Sequence, residues 1–182
     1  MRIIAGVAKG RRLTAPDSKG TRPVTDRVRE AVFSIIGSWV EEANALDLYA
    51  GSGAFGLEAL SRGARAVTFV ESGDKALAAL RRNVEVVGLG GTVVSSTVSD
   101  YLNRSAGGYD LVFMDPPWTQ PAEVMGADLG RLDSLLVSGA EVVVSRRHGD
   151  DEPLIPVTWV VATDRRYGDT RIFRYVRESE TR

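Results

Sequence analysis

The chain has 182 residues, 43% hydrophobic and 26% charged, with a formal net charge of −1, which fits one domain, or one domain with an appendage, around a real core. It has no cysteine and one histidine, His148, so disulfides and thiolate-held metals are excluded and no metal site is expected. No apolar run approaches the ~20 residues that span a bilayer, and Met1-Arg2-Ile3-Ile4 does not open a signal peptide, so a cytoplasmic protein without a membrane partner is expected.

The charge is uneven along the chain. Residues 1–29 carry Arg2, Lys9, Arg11, Arg12, Lys19, Arg22, Arg27 and Arg29 against Asp17 and Asp26, a local +6. A basic end on a near-neutral chain points to a polyanion, nucleic acid above all; the bland alternative is a solvated arm. Ile3-Ile4 and Arg12-Leu13 flank Gly6 and Gly10 and read as a small hairpin. Residues 16–23 are a loop rich in Gly, Ser and Pro. Residues 1–24 are thus a basic N-terminal hairpin or arm, too small for a core of its own, and 25–182 are the main domain.

Thr25 or Asp26 caps a helix whose apolar positions Val28, Val32, Ile35, Ile36 and Trp39 carry it to about Val40, with Arg27 and Arg29 pointing elsewhere. Strands over 44–49, 66–70, 92–96, 109–114 and 141–145 alternate with helices over 55–62, 74–87 and somewhere within 121–136. Strands over 157–163 and 170–176 follow, joined by 164–169, a connection too short for a helix and therefore antiparallel. The tail 178–182 is expected to fray. This order predicts an α/β fold: a doubly wound, mainly parallel, Rossmann-like seven-stranded sheet with an antiparallel last strand.

Ligands in such sheets bind beyond the carboxyl ends of the strands. The first strand leads into Leu46-Asp-Leu-Tyr-Ala-Gly-Ser-Gly-Ala-Phe-Gly56. After Tyr49 and Ala50, the Gly51-Ser52-Gly53 turn needs small residues, and the helix behind it offers free N–H groups. Gly51 to Gly56 matches GxGxxG, but Asp47 stands where dinucleotide folds usually carry an apolar residue. The Asp47-x-x-x-Gly51-x-Gly53 spacing resembles motif I of the class I S-adenosylmethionine-dependent methyltransferases, where the carboxylate and the loop cradle the methionine part of the cofactor. Glu71 ends the second strand 20 residues after Gly51, the place for an acid accepting both ribose hydroxyls of an adenosine group. Asp100-Tyr101 follow the third strand. There a carboxylate can accept from an adenine amino group or cap a helix, and both roles are compatible.

Asp115-Pro116-Pro117-Trp118 ends the fourth strand. Two prolines fix the backbone and remove two donors. The Asp115 carboxylate and the Pro116 carbonyl can then both accept, which suits an exocyclic amino group on a base. Two acceptors on its hydrogens favour a more tetrahedral nitrogen and take up its developing positive charge. Trp118 offers a flat face for stacking. The tetrapeptide resembles the (D/N)PP(Y/F/W) motif of amino-group N-methyltransferases, with the less usual tryptophan.

Nearly end to end, the chain resembles the RsmD-type family of bacterial 16S rRNA guanine-N2 methyltransferases. The residues that carry the likeness are Met1-Arg-Ile-Ile-Ala-Gly6, Lys9-Gly-Arg-Arg-Leu13, Arg22-Pro-Val-Thr-Asp-Arg-Val-Arg-Glu30, the run from Leu46 to Gly63, Asp115 to Trp118, and Tyr167-Gly-Asp-Thr170. Val24 and Phe55 are mild departures away from the chemistry. The resemblance implies methyl transfer from S-adenosyl-L-methionine to N2 of guanine 966 in 16S rRNA, met on a 30S subunit or its assembly intermediate by a monomer. Arg2, Lys9, Arg11, Arg12, Arg22 and Arg27 are candidate RNA contacts. So are Arg146 after the fifth strand and Arg165, Arg166 and Arg171 around the last hairpin, with solvated loop charges as the alternative. Thr25, Asp26 and Arg27 are candidates to cover the cofactor or the base. From the residues alone, amino methylation of adenine or of a DNA base, a cofactor-holding binding module and a nicotinamide dehydrogenase stay open; Asp47 and Asp115-Pro-Pro-Trp118 disfavour the last.

Overall fold

The computed structural model describes residues 1–16 and 25–178. Seven strands form one sheet: β1 (Asn44–Leu48), β2 (Ala66–Glu71), β3 (Thr92–Ser95), β4 (Tyr109–Met114), β5 (Leu136–Arg147), β6 (Trp159–Tyr167) and β7 (Thr170–Arg177). Their order is β3-β2-β1-β4-β5-β7-β6, with β1 to β5 parallel and β7 antiparallel to both its neighbours. The two-residue Gly168-Asp169 turn explains the last pairing, because Gly168 at φ +62° takes the conformation a primed hairpin turn needs.

The helices are α1 (Asp26–Ile36), α2 (Ala54–Ser61), α3 (Asp74–Val87), α4 (Val98–Arg104) and α5 (Ala122–Leu132). One core lies between the sheet and α1, α2 and α3, built on residues such as Phe33, Leu57, Phe69 and Phe113. The other lies under α4 and α5, around Leu46, Val112, Met125 and Leu129.

Several elements depart from the sequence reading for local reasons. Thr25 is the N-cap of α1, accepting from the Val28 N–H at 3.3 Å. The helix does not run on to Val40: Gly37, at φ +60°, breaks it into a 3₁₀ turn over Gly37–Val40. That turn rotates Trp39 off the apolar face to 60% exposure. Arg29, expected to point away from the apolar face, is fully buried. For α4 the sequence offers only a possible cap at Asp100; Thr97 takes the cap instead and starts the helix at Val98. β5 starts five residues earlier than expected and β6 runs through Arg165 and Arg166, so those arginines stand on a strand and not in a loop.

Residues 1–16 add no strand to the sheet. A lone Arg2–Arg12 bridge, with Ile3 N–H to the Arg11 carbonyl and Gly10 N–H to the Ile3 carbonyl at 2.9 Å each, closes the hairpin. Ile3, Ala8 and Leu13 sink into the core of α1 and α2. The hairpin is clamped to α2: buried Glu58 accepts from the Ile4 and Ala5 amides at 2.7 and 3.0 Å. Gly6 is required there, since a Cβ would stand 1.7 Å from the Ser61 carbonyl oxygen.

Candidate active site

Strand parity decides which side chains meet. Ala45, Phe113 and Val143 face the α1–α2 core. Two residues on, Asp47, Asp115 and Ser145 leave β1, β4 and β5 toward the same side. Asp47 and Asp115 border a cleft of about 910 Å³ whose walls include Gly51 and its neighbours in the glycine loop, residues 71–76 at the end of β2 and the start of α3, Met1, and Pro116 to Trp118.

The glycine loop is held from below. Asp47, 1% exposed, accepts from the Gly56 N–H at 2.9 Å. Gly51 and Gly53 have φ +56° and +77°, and Tyr49, unusually for an aromatic residue, has φ +57°. Gly51 presents its backbone to the cleft, and its N–H donates to Glu71 at 2.8 Å. Gly53 and Gly56 do not line the cleft. They allow close packing: added Cβ atoms would lie 2.5 Å from Leu80 and 2.3 Å from Phe69.

Glu71 borders the cleft as expected, but most of its acceptor capacity is spent on backbone. Oε1 accepts from the Ser72 and Gly73 amides, and Oε2 from Gly51, all at 2.8 Å. Of about four lone-pair positions on a carboxylate, one on Oε2 remains, which suits one ribose hydroxyl and not two. Asp100 and Tyr101 are not among the cleft-lining residues. Asp100 lies in the first turn of α4, its side chain 57% exposed, and accepts from the Thr97 hydroxyl at 2.8 Å. Tyr101 hydrogen-bonds Tyr109, at the start of β4 and away from the strand tips.

Asp115 is hydrogen-bonded by the Ser145 hydroxyl. Burial raises its pKa to about 6, and the bond from Ser145 opposes the shift. Asp47 is pushed well above the usual carboxylate range, by burial first and then by the charges of Asp115 and Glu71; the Gly56 amide opposes this. The cleft therefore holds mutually repelling carboxylates, an arrangement a cationic ligand relieves.

Pro116 is buried, Pro117 exposed and Trp118 half-buried at the rim. The Arg147 guanidinium carbon lies 5.8 Å from the Trp118 ring centroid. Ala50 and Ser52 line the cleft, as does Tyr49. The Tyr49 hydroxyl donates to Asp128 at 2.9 Å and accepts from the Gln120 side chain at 2.6 Å, tying the glycine loop to the segment after Trp118.

The basic candidates separate. Arg2, Lys9, Arg12, Arg27 and Arg165 are exposed. Arg11 donates to the Val87 carbonyl at the end of α3. Arg166 donates to the Gly168 carbonyl at 2.8 Å. Arg146, expected at the surface, is buried and donates to the Gln120 carbonyl at 2.9 Å. Arg171 is bound by Asp164 and Glu152 at 2.6 and 2.5 Å. Arg22 lies outside the described residues. Sequence reasoning missed Met1, Arg29, Ala15 and Pro16 on the cleft wall, and Ser145 behind it. Only Ser145 had a signal, strand alternation from Val143.

Residues 1–176 match the family model described as Conserved hypothetical protein 95. The chain is 34% identical over 181 residues to Ribosomal RNA small subunit methyltransferase D of Escherichia coli (strain K12), covering 99% of this chain and 91% of that protein. The chain belongs to the RsmD-type methyltransferase family. A solved structure titled a putative methyltransferase, yhhF, from Escherichia coli superposes on this RsmD-type chain with a TM-score of 0.88, 32% identity and 98% of both chains covered. SMU.776, a putative methyltransferase complexed with SAH, shares the fold alone, with a TM-score of 0.69 and 16% identity over 86% of this chain and 50% of that one. The RsmD-type sheet is thus the class I methyltransferase fold. Among its described residues no three metal-ligating side chains converge, and no helix is long and apolar enough to cross a membrane.

Proposed function

We propose that this chain transfers a methyl group from S-adenosyl-L-methionine to the exocyclic N2 of guanine 966 in 16S rRNA, within the 30S subunit or its assembly intermediate. The observation that carries the reading is the placement of Asp115-Pro116-Pro117-Trp118 across one cleft from Asp47, Gly51 and Glu71. The residues present fit the donor. Asp47 and Asp115 answer a molecule with cationic ammonium and sulfonium groups, and Glu71 has one acceptor left for a ribose hydroxyl. When bound, S-adenosyl-L-methionine would supply an electrophilic sulfonium methyl, and its transfer to the amino nitrogen would break the S–CH3 bond and leave the neutral thioether S-adenosylhomocysteine.

The chain's own part is to hold the nucleophile. The guanine, turned out of its stack at a cost of a few kcal/mol, lies on Trp118. Asp115 and the Pro116 carbonyl accept the two amino hydrogens and aim the nitrogen. As the nitrogen gains a bond it sheds one proton, to Asp115 or to water. A carboxyl with a pKa of about 6 is ionised at neutral pH yet basic enough to accept it. Positioning in a desolvated cleft does most of the work. Arg2, Lys9, Arg12, Arg27 and Arg165 provide phosphate contacts, and Arg147 meets RNA at the rim beside Trp118.

The test is transfer of labelled methyl to undermethylated 30S particles, followed by mass mapping of the modified nucleotide. The expected product is one N2-methylguanine, which Asp115→Ala should make about 10²- to 10³-fold more slowly. Transfer by that variant at the wild-type rate would overturn the site, and a methyl on adenine would overturn the substrate.

A further inference from the structure

The segment between β4 and α5 is tied down at one residue, Gln120. Its N–H donates to the Pro117 carbonyl at 2.9 Å and closes a turn over 117–120. Trp118 is the second residue of that turn, so the place of Gln120 sets the direction of the indole. The Gln120 carbonyl accepts from Arg146 Nη1 at 2.9 Å. Arg146 is itself buried on β5 and lies 3.6 Å from Asp150, which makes it a fixed anchor for that carbonyl. The Gln120 side chain reaches the other way, and its Nε2 donates to the Tyr49 hydroxyl at 2.6 Å.

Tyr49 follows β1, lines the cleft and leads directly into Ala50 and Gly51. Its φ of +57° is rare for an aromatic residue and persists only where the surroundings hold it. Its hydroxyl proton is committed to Asp128 on α5 at 2.9 Å, and the other Asp128 oxygen pairs with Arg131 at 3.2 Å. A carboxylate only accepts, so the tyrosine oxygen has a lone pair and no proton left to offer. Its partner at position 120 must therefore donate. An amide NH2 does so; an ionised acid of the same size does not. The relay from Gln120 through Tyr49 to Asp128 thus has one polarity, and it joins the rim that carries Trp118 to the loop that carries Gly51.

We infer that Gln120 is a positioning residue: through its turn to Pro117 and its bond to Tyr49 it holds the Trp118 face and the Pro116 carbonyl at a set height above the glycine loop. The inference rests on the methyl-transfer reading above. Gln120 is not among the cleft-lining residues, so it acts on base and donor only through these neighbours. Arg146, expected to meet RNA, serves the same end from β5.

The experiment compares Gln120→Met, Gln120→Glu, Tyr49→Phe and the double variant Tyr49→Phe/Gln120→Met on undermethylated 30S particles. Titration with S-adenosylhomocysteine gives donor-site affinity, and melting is followed alongside. Gln120→Met keeps the length of the side chain and should lower kcat/KM for the particles about 3- to 10-fold, the worth of one neutral hydrogen bond. Its affinity for S-adenosylhomocysteine should stay within about twofold of wild type. Gln120→Glu should lose at least as much activity, because an ionised carboxylate gives the Tyr49 hydroxyl no proton and repels Asp128. Tyr49→Phe keeps the ring and should lose at least as much as Gln120→Met. The double variant should then lose no more than Tyr49→Phe alone, since both changes break one bond. Undiminished kcat/KM in Gln120→Met or Gln120→Glu overturns the inference, as do losses that multiply in the double variant. Melting temperature and S-adenosylhomocysteine affinity that fall in step with activity would make Gln120 a support of the fold alone, and overturn it too. Each of these outcomes leaves the methyl-transfer reading standing. A wild type that transfers no methyl to the particles overturns that reading, and the inference with it.

Discussion

At the tips of β1, β4 and β5, Asp47, Asp115 and Ser145 stand where strand alternation puts them. The basic residues of the hairpin, of α1 and of β5 to β7 instead end in four different environments. Arg29 and Arg146 are buried, Arg11 ends a helix, Arg171 is locked between two acids, and Arg12 and Arg165 are exposed. A strand fixes the side on which a residue emerges, so a polar residue on a buried strand end has one destination. A long cationic side chain has several, because its stem packs on apolar surface while its head finds whatever acceptor is near.

The contrast predicts large effects at the tips. Asp115→Ala should lower kcat on 30S particles by about 10²- to 10³-fold, the usual range for an electrostatic group acting on the reacting atom. Single-turnover transfer with saturating donor measures it; a loss below about threefold would show that Asp115 does not touch the amino group. Trp118→Ala comes next. Loss of one stacking face is worth roughly 1–3 kcal/mol, or about 5- to 150-fold in RNA affinity. Filter binding should show that loss while donor affinity stays unchanged, and a change in donor affinity would place the indole elsewhere in the cleft.

A pH profile sharpens the same comparison. The proposed role needs Asp115 as the ionised carboxylate, and its pKa is raised to about 6 by burial. Activity should therefore be level above that pH and fall about tenfold per unit below it, read as kcat/KM for the donor so that the free enzyme is reported. The Ser145 hydroxyl favours the ionised form, so Ser145→Ala should move the acid limb to higher pH. A limb that stays in place, or moves down, would remove Ser145 from control of Asp115.

Legibility in the sequence followed the same division. The sheet and its antiparallel last strand were readable, because alternation of elements and the short 164–169 link leave few topologies. Asp47, Glu71 and Asp115 were readable as cleft residues because each stands at a strand end. What escaped was decided by tertiary competition. Thr97 outcompeted Asp100 for the cap and carried Tyr101 away with it. Gly37 turned Trp39 outward, although its spacing had placed it on the apolar face. Arg29 carries the same charge as its neighbour Arg27, and only the packing of α1 against α2 separates the buried one from the exposed one. The hairpin's Met1 and Pro16 reach the cleft through contacts more than fifty residues apart in sequence, such as Gly6 under Ser61, and no local pattern encodes those.

The smallest effect divides two arginines that look alike on paper. Arg12 is exposed on the basic hairpin, whereas Arg171 is held by Asp164 and Glu152 and lies 4.5 Å over the Phe173 ring. If Arg12 meets a phosphate, Arg12→Ala should weaken RNA binding uniformly and flatten the log–log salt dependence by about one unit, with no change in melting. Arg171 already has two carboxylate partners, so a phosphate would have to displace them. Arg171→Ala should leave the salt slope alone and lower the melting temperature by no more than about 2–4 °C, since an ion pair this close to solvent contributes little. A flattened slope for Arg171→Ala and none for Arg12→Ala would reverse the assignment. It would mean that the acids around Arg171 release it on RNA, and that the last hairpin, not the first, carries the electrostatic contact.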